Sequence, residues 1–429
     1  MLSAATESTK RPSLSTVYPT VDLNRCPYPF YELLRKERPV YEIPCNSGRP
    51  EFLLVDYDDL LYVSHHPELF TNDVLGFTLP SGDVVAPQGN GQSVVLNPPG
   101  YGLQHDTNPP GRANPDRVLA FTPFKPSRLR AYEPLIARVA DELIDGFIHQ
   151  GEADFTADFA RPLPVVTICD VLGLSRDARP RMLFWAAGLA SGNVRFYSAD
   201  QIAVQGRKNA ELQEFLDAEL CARRDHPRDD VLSELIQLQV ERDGHFDLGL
   251  LRHIAAFLAL GGAKTSAHML ASMMALLLEY PDQMTKLAAT PLRMEGFVEE
   301  SLRLEAPIQH VTRLARVDTE LHGVKIPAGS ILYLSTGASN RDPKKFVRAT
   351  GFDVERQNAR EQVAFGIGLH FCLGAPLARL EGRIGMSRLL ARLTDIKLVV
   401  GKSDLSNIES PHFRGPRRIR IAFRPTDLI

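Results

Sequence analysis

The chain has 429 residues, with 49 Lys and Arg against 52 Asp and Glu, 44% hydrophobic residues and 24% charged residues. This ordinary globular usage excludes a disordered acidic or basic chain, a collagen-like repeat and a coiled-coil rod, and a net charge of −3 gives no whole-chain electrostatic hold on nucleic acid. The five cysteines, Cys26, Cys45, Cys169, Cys221 and Cys372, form no CxxC pair and are odd in number, against a zinc ribbon, a thioredoxin-like site or a disulfide framework.

Residues 1–20 are rich in Ser and Thr and hold no apolar run suited to a signal peptide, so a disordered tail is expected before a domain spanning 21–429. No apolar run reaches the ~20 residues of a membrane span. Ile254 to Ala263 ends at Lys264, and a cytoplasmic protein with no membrane contact is expected. Phe30 to Arg38 reads as an amphipathic helix, Phe52 to Tyr57 as a strand and Asp58 to Val63 as a helix. Residues 76–111 carry 13 Gly or Pro in 36 positions, which predicts a long irregular loop. Helices are expected near Arg117, although Pro115 points to a late start. They are also expected over Leu129–Ile148, Val165–Leu172, Arg179–Ala190 and Ala203–Arg224.

A long helix follows from Leu248 to Glu279, with Asp247 as N-cap and Pro281 just beyond its end. Gly261-Gly262 in its middle reads either as a kink or close helix crossing, or as a place where a flat group approaches the backbone. Met294–Leu304 predicts a helix, and His310–Leu314, Thr319–Leu321, Gly323–Ile326 and Ile331–Ser335 predict strands. Ala375–Leu393 is the last long helix. Length alone would allow two or three domains, but no linker or repeat divides the chain. The expectation is therefore one large, mainly α domain with minor β structure.

The segment Phe365-Gly366-Ile367-Gly368-Leu369-His370-Phe371-Cys372-Leu373-Gly374 sets one cysteine among glycines, directly before a helix. Free N–H groups at a helix start favour a thiolate. As a whole it resembles the haem-binding loop of the cytochrome P450 superfamily. Glu300-Ser301-Leu302-Arg303 resembles that family's E-x-x-R helix, and Phe352-Asp353-Val354-Glu355-Arg356 its F-D-x-x-R segment. Asn340-Arg341-Asp342-Pro343, Ile326-Pro327-Ala328-Gly329, Cys26-Pro27-Tyr28-Pro29-Phe30 and Asp229-Asp230-Val231-Leu232-Ser233 are similar to further family segments in the family's order. The similarity runs over roughly residues 22–425 and is greatest to the soluble bacterial branch. It implies a fold in which haem lies between the long central helix and the cysteine loop.

The resemblance implies haem b (iron protoporphyrin IX) with Cys372 as its thiolate ligand, a loop shaped by Gly366 and Gly374, and Phe365 packed beside the sulfur. His370, Arg313 and Arg117 match positions that face the haem propionates, which need cationic partners. The family's histidine four residues before Arg117 is missing here, and Arg112 is the candidate substitute. Glu300, Arg303 and Arg356 would form the family's structural ion-pair network.

Gly261-Gly262-Ala263-Lys264-Thr265-Ser266 resembles the family's A/G-G-x-D/E-T-T segment, where the glycines admit dioxygen and the threonine, here Thr265, orders water. Lys264 replaces the usual acid. It has three readings: turned away and paired with an acid, a proton donor with a depressed pKa, or a group that holds a substrate carboxylate or marks peroxide-driven or non-oxygenating chemistry. Candidate substrate contacts are Phe257 or Leu258, Ile308, Val311 and Phe77, with Leu75 and Leu79 beside Phe77. The implied function is a monooxygenase that acts on a small hydrophobic molecule with O2. Its electrons would come from a ferredoxin and an NAD(P)H-dependent ferredoxin reductase docking on the Cys372 side near Arg379. The alternatives are a peroxygenase, a nitric-oxide reductase type, an isomerase or dehydratase, and a non-catalytic haem-bearing recruitment module.

Overall fold

The 32-residue helix Leu248–Glu279 runs through the main core. Asp247 caps it: the carboxylate accepts the N–H of Leu250 at 3.0 Å. Pro281 opens the next helix, Pro281–Ala289. The central helix packs against helices Pro162–Val171, Ala199–Asp225, Met294–Leu304 and Ala375–Arg392. By length and composition it is apolar enough to cross a membrane, but 67% of its most apolar window is buried inside the protein. An apolar surface on nearly all sides is the pattern of a helix wrapped by others. The computed structural model describes residues 23, 25–44, 49–72, 77–78, 84–85, 114–187, 199–408, 410 and 412–426. The expected tail 1–20, most of the loop 76–111, and Arg112 lie outside these residues.

A five-stranded sheet flanks the helical body, in the order Val40–Glu42, Glu51–Leu54, Ile331–Leu334, Val311–Ala315, Phe70–Thr71. Glu51–Leu54 and Ile331–Leu334 are parallel, and the other pairs are antiparallel. A parallel pair needs a crossover, and here the crossover contains the helical body. Phe52, Leu54, Leu332 and Leu334 are buried in a second cluster beneath this sheet. A smaller sheet joins Leu393–Leu398, Arg420–Pro425 and Glu152–Asp154.

Several expected boundaries move for local reasons. The strand at Phe52 ends at Leu54, because Tyr57 starts a helix and its N–H donates to the Asp342 carboxylate at 3.0 Å. The helix bearing Arg117 begins at Pro115 itself, two residues before the arginine: Asn114 caps it through the N–H of Asp116 at 2.8 Å, and proline at a first helical position forfeits no helix bond. Helix Val231–Asp243, capped by Asp230, and the C-terminal strands had no sequence signal strong enough to separate them from their surroundings. The central helix continues unbroken through Gly261-Gly262.

Candidate functional site

The cysteine loop is built by backbone geometry. Gly366 and Gly368 sit at φ +69 and +73, where L side chains are strained. A Cβ at Gly368 would also lie 2.8 Å from the carbonyl oxygen of Ser64, so the loop is pressed against helix Tyr57–His65. The Cys372 N–H donates to the Phe365 carbonyl at 2.9 Å, closing the loop. Helix Ala375–Arg392 starts just after it, and the N–H groups of Gly374 and Ala375 donate to the cysteine sulfur. Gly374 has an ordinary φ of −81, so its contribution is close backbone approach rather than a left-handed turn.

Burial is the largest influence on the Cys372 thiol and pushes its pKa up; the two N–H groups, Arg117 and Arg379 pull it down. The residue nevertheless has accessible surface. Both facts fit a sulfur that opens onto an internal cavity. Cys169, by contrast, is buried with its thiol pushed up to about 12, and Cys26 and Cys221 are half-buried. Cys45 lies outside the described residues. A coordinating cation deprotonates a thiol outright, so Cys372 is equipped to be a metal ligand in a way that Cys169 is not.

Phe365 stands beside the loop, edge-on to Phe371 at 6.3 Å, with the Arg379 guanidinium 4.6 Å over its ring. Arg379 also makes a two-point ion pair with Glu299, at 2.5 and 3.1 Å. Any docking role for Arg379 therefore starts from a cation with a carboxylate partner.

Glu300 and Arg303 are fully buried, paired at 2.6 and 2.8 Å. Arg356 reaches Glu300 at 3.0 Å. Arg303 also donates to the carbonyls of Asn340, Ala349 and Gly351 at 2.6–2.9 Å. An isolated i,i+3 surface pair contributes only a few tenths of a kcal/mol, but breaking a buried one costs about 3–5 kcal/mol. This network fastens helix Met294–Leu304 to the chain that leads into the cysteine loop.

Arg117 and Arg313 are buried as well, so neither is a solvated surface charge. Arg117 donates to the Phe371 carbonyl, which places it against the cysteine loop. Arg313 donates to Asn72 Oδ1 and the Thr312 carbonyl, both at 2.8 Å. His370 lies in the short turn Gly368–His370 and is partly buried.

On the central helix, Phe257, Gly261, Gly262, Lys264, Thr265 and His268 are the less buried residues of a buried stretch. At about 100° per residue, positions 257, 261, 264, 265 and 268 share one face. Among the described residues, a Cβ built on Gly261 or Gly262 meets no atom within 4 Å, so the glycines border open space rather than a helix crossing. Thr265 Oγ1 donates to the Gly261 carbonyl at 2.9 Å. Of the paired candidates, Phe257 lies on the open face and Leu258 is buried. Ile308 and Val311 are half-buried, and Ile308 bridges to Phe413. Phe77 lies in the short strand Phe77–Thr78, and its side chain is outside the described residues, as are Leu75 and Leu79.

Lys264 projects its ammonium 4.3 Å over the Phe413 ring, and burial lowers its pKa to about 8. This partner is distant in the chain, and no local pattern announces it. Sequence reasoning also missed Glu381. This carboxyl is buried on helix Ala375–Arg392 and pushed up to about 8 by burial, with a hydrogen bond from Ser266 pulling it down. Ser266 projects nearly opposite the open face, towards the helix that follows the cysteine. A glutamate within a helix otherwise fitted to the core was the signal available.

The open space beside the paired glycines, the cation-flanked sulfur and the buried arginines fit a planar, dianionic iron porphyrin. The Cytochrome P450 family model matches residues 292–404. The chain is 30% identical over 404 residues to cytochrome P450 monooxygenase PikC of Streptomyces venezuelae, covering 93% of this chain and 91% of that one. It is 31% identical over 403 residues to vitamin D(3) 25-hydroxylase of Pseudonocardia autotrophica, covering 93% and 94%. Among solved structures it is similar to cytochrome P450 CYP109Q5 from Chondromyces apiculatus, with TM-score 0.80, 27% identity and coverage of 95% and 97%. P450BioI, solved in complex with an acyl carrier protein ligated to hexadec-9Z-enoic acid, superposes with TM-score 0.82 at 25% identity over 94% and 99% of the two chains.

Proposed function

The chain belongs to the cytochrome P450 superfamily and is a monooxygenase, and on that premise we propose that it inserts one oxygen atom of O2 into a small hydrophobic organic substrate in the cytoplasm. Electrons come from a ferredoxin and its NAD(P)H-dependent reductase. Cys372 holds the haem iron, and Arg117, Arg313 and His370 face its carboxylates. When bound, the group supplies a thiolate-ligated iron that activates O2.

The residues around it have separate tasks. The N–H groups of Gly374 and Ala375 offset negative charge on the sulfur and tune its electron donation. Gly261 and Gly262 keep the helix backbone clear of side chains where reactants sit. The Thr265 hydroxyl, held by the Gly261 carbonyl, is placed to order water at that opening. Glu381 keeps its proton near neutral pH, and the Ser266 hydroxyl connects that carboxyl to the central helix. The pair places a carboxyl carried by helix Ala375–Arg392 against the face of the central helix opposite Lys264.

The observation that carries the reading is the accessible Cys372 at the start of a helix, with two backbone donors aimed at its sulfur. Turnover of a binding substrate with ferredoxin, reductase, NADPH and isotopically labelled O2 tests it, and one labelled oxygen atom per product is expected. The lysine at position 264 favours a second reading, a peroxygenase. Product formed with hydrogen peroxide alone, and none with the ferredoxin system, would establish it instead.

A further inference from the structure

Two stretches far apart in the chain are zipped together beside the open face of the central helix. Residues 305–309 leave the end of helix Met294–Leu304, and residues 412–414 precede the strand Pro416–Arg418. The Gln309 N–H donates to the His412 carbonyl at 2.8 Å and the Arg414 N–H to the Pro307 carbonyl at 2.9 Å. Between these bonds Ile308 bridges to Phe413. Successive residues of such a pairing point to opposite sides. Phe413 points to the central helix: its ring lies 4.3 Å from the Lys264 ammonium and 6.0 Å from the His268 ring. It therefore walls the face that carries Gly261 and Thr265. Arg414 points away from that helix, into a buried polar cluster.

That cluster is closed around one carboxylate. Glu305 accepts the Arg414 Nε–H at Oε2, 2.6 Å, and an Arg341 Nη2–H at Oε1, 2.8 Å. The Tyr28 ring lies against both guanidiniums, 4.7 Å from that of Arg414 and 3.5 Å from that of Arg341, and its hydroxyl donates to Glu305 Oε2 at 3.2 Å. Arg414 Nη1 also donates to the Arg25 carbonyl at 2.9 Å. Glu305 and Arg414 are both buried, and charge-assisted bonds of this kind are short and directional. A buried ion pair adds little stability over apolar packing of the same volume; its best-attested use is to fix register. The register fixed here is that of 412–414 on 305–309, where a slip of one residue would turn Phe413 from the helix face into the cluster.

We propose that Glu305 is a positioning residue for the substrate: by clamping Arg414 it sets the register and depth of Phe413 on the pocket wall, and so the space left to a ligand. Phe413 and Ile308 meet the ligand, and Glu305 and Arg414 act through them. The buried network of Glu300, Arg303 and Arg356 serves the cysteine side, whereas this second network, at the end of the same helix, serves the wall opposite.

The inference rests on the monooxygenase reading only for the identity of the pocket, and it is tested by binding rather than turnover. Optical titration of the haem-loaded protein uses two azoles: imidazole, too small to reach the wall, and 1-phenylimidazole, whose phenyl ring must share the pocket with Phe413. Phe413→Ala should weaken 1-phenylimidazole relative to imidazole by about five-fold or more. Glu305→Gln, which is remote from the ligand, should do the same, and Arg414→Lys, which keeps the charge but loses the Arg25 contact, should fall between it and the wild type. In the Phe413→Ala background Glu305→Gln should add nothing, because both act through one side chain. An unchanged ratio of the two affinities in Glu305→Gln, an equal loss for both azoles, or a full additional loss on top of Phe413→Ala overturns the proposal. Should Glu305→Gln fail to retain haem, Arg414→Lys decides alone by the same ratio, and an unchanged ratio overturns the proposal. Each of these results leaves the thiolate spectrum of the wild type untouched, whereas loss of that spectrum would sink the monooxygenase reading itself.

Discussion

The two sides of the cavity are built on opposite principles. On the cysteine side nearly every polar group is committed: Arg303 serves a carboxylate and three carbonyls, Arg379 is clamped by Glu299, and Gly368 leaves no room for a methyl group. On the central-helix side the glycines border open space, and the functional groups are few. The first side fixes a cofactor in one geometry and tolerates little change. The second leaves space for a ligand, so single side chains there decide chemistry rather than folding.

Substitutions can break that contrast. The largest effect is expected for Glu300→Gln, which leaves Arg303 and Arg356 short of their counter-charge. A loss of about 3–5 kcal/mol in denaturant unfolding is expected, and unchanged stability would mean that the network is ornamental. Next comes Glu381→Gln, where product per unit time should fall by roughly 10²-fold or more if the carboxyl carries protons.

The same variant has a pH signature. The folded-state pKa of Glu381 is raised to about 8, above the unfolded value of about 4.3. Its contribution to stability is therefore fully present below the unfolded value and is lost as pH rises towards 8. Wild type should lose stability over that window relative to Glu381→Gln, and parallel melting curves across it would contradict the assignment.

Gly368→Ala should cost about 1–3 kcal/mol from its left-handed φ, before the contact with Ser64 is counted. The smallest effect, and of opposite sign, is expected for Gly261→Ala. It meets no atom and should stabilise the haem-free protein by up to about 1 kcal/mol, read as a higher melting temperature. A destabilised Gly261→Ala would show that the helix face is closed.

The cysteine side was legible in the sequence because its geometry needs particular residues close together: glycines at positive φ, a cysteine before a helix, Glu300 one turn from Arg303. The central helix was legible too, through its cap at Asp247, its mostly apolar sequence and Pro281 just past its end. What stayed hidden depends on contacts between distant segments. Nothing near Lys264 announces Phe413, and nothing near Ser266 announces Glu381. Helix Val231–Asp243 and the final strands were obscured for a different reason, since half-buried elements carry weaker periodicity than the core helix.

The central claim is that the Cys372 sulfur, as a thiolate, ligates a haem iron. The absorption spectrum of the reduced protein under carbon monoxide tests it most directly. The wild type should show the strongly red-shifted Soret band of thiolate-ligated haem, and Cys372→His should lose that band while keeping bound haem. A histidine-type spectrum from the wild type, or a thiolate band that survives Cys372→His, would contradict the account.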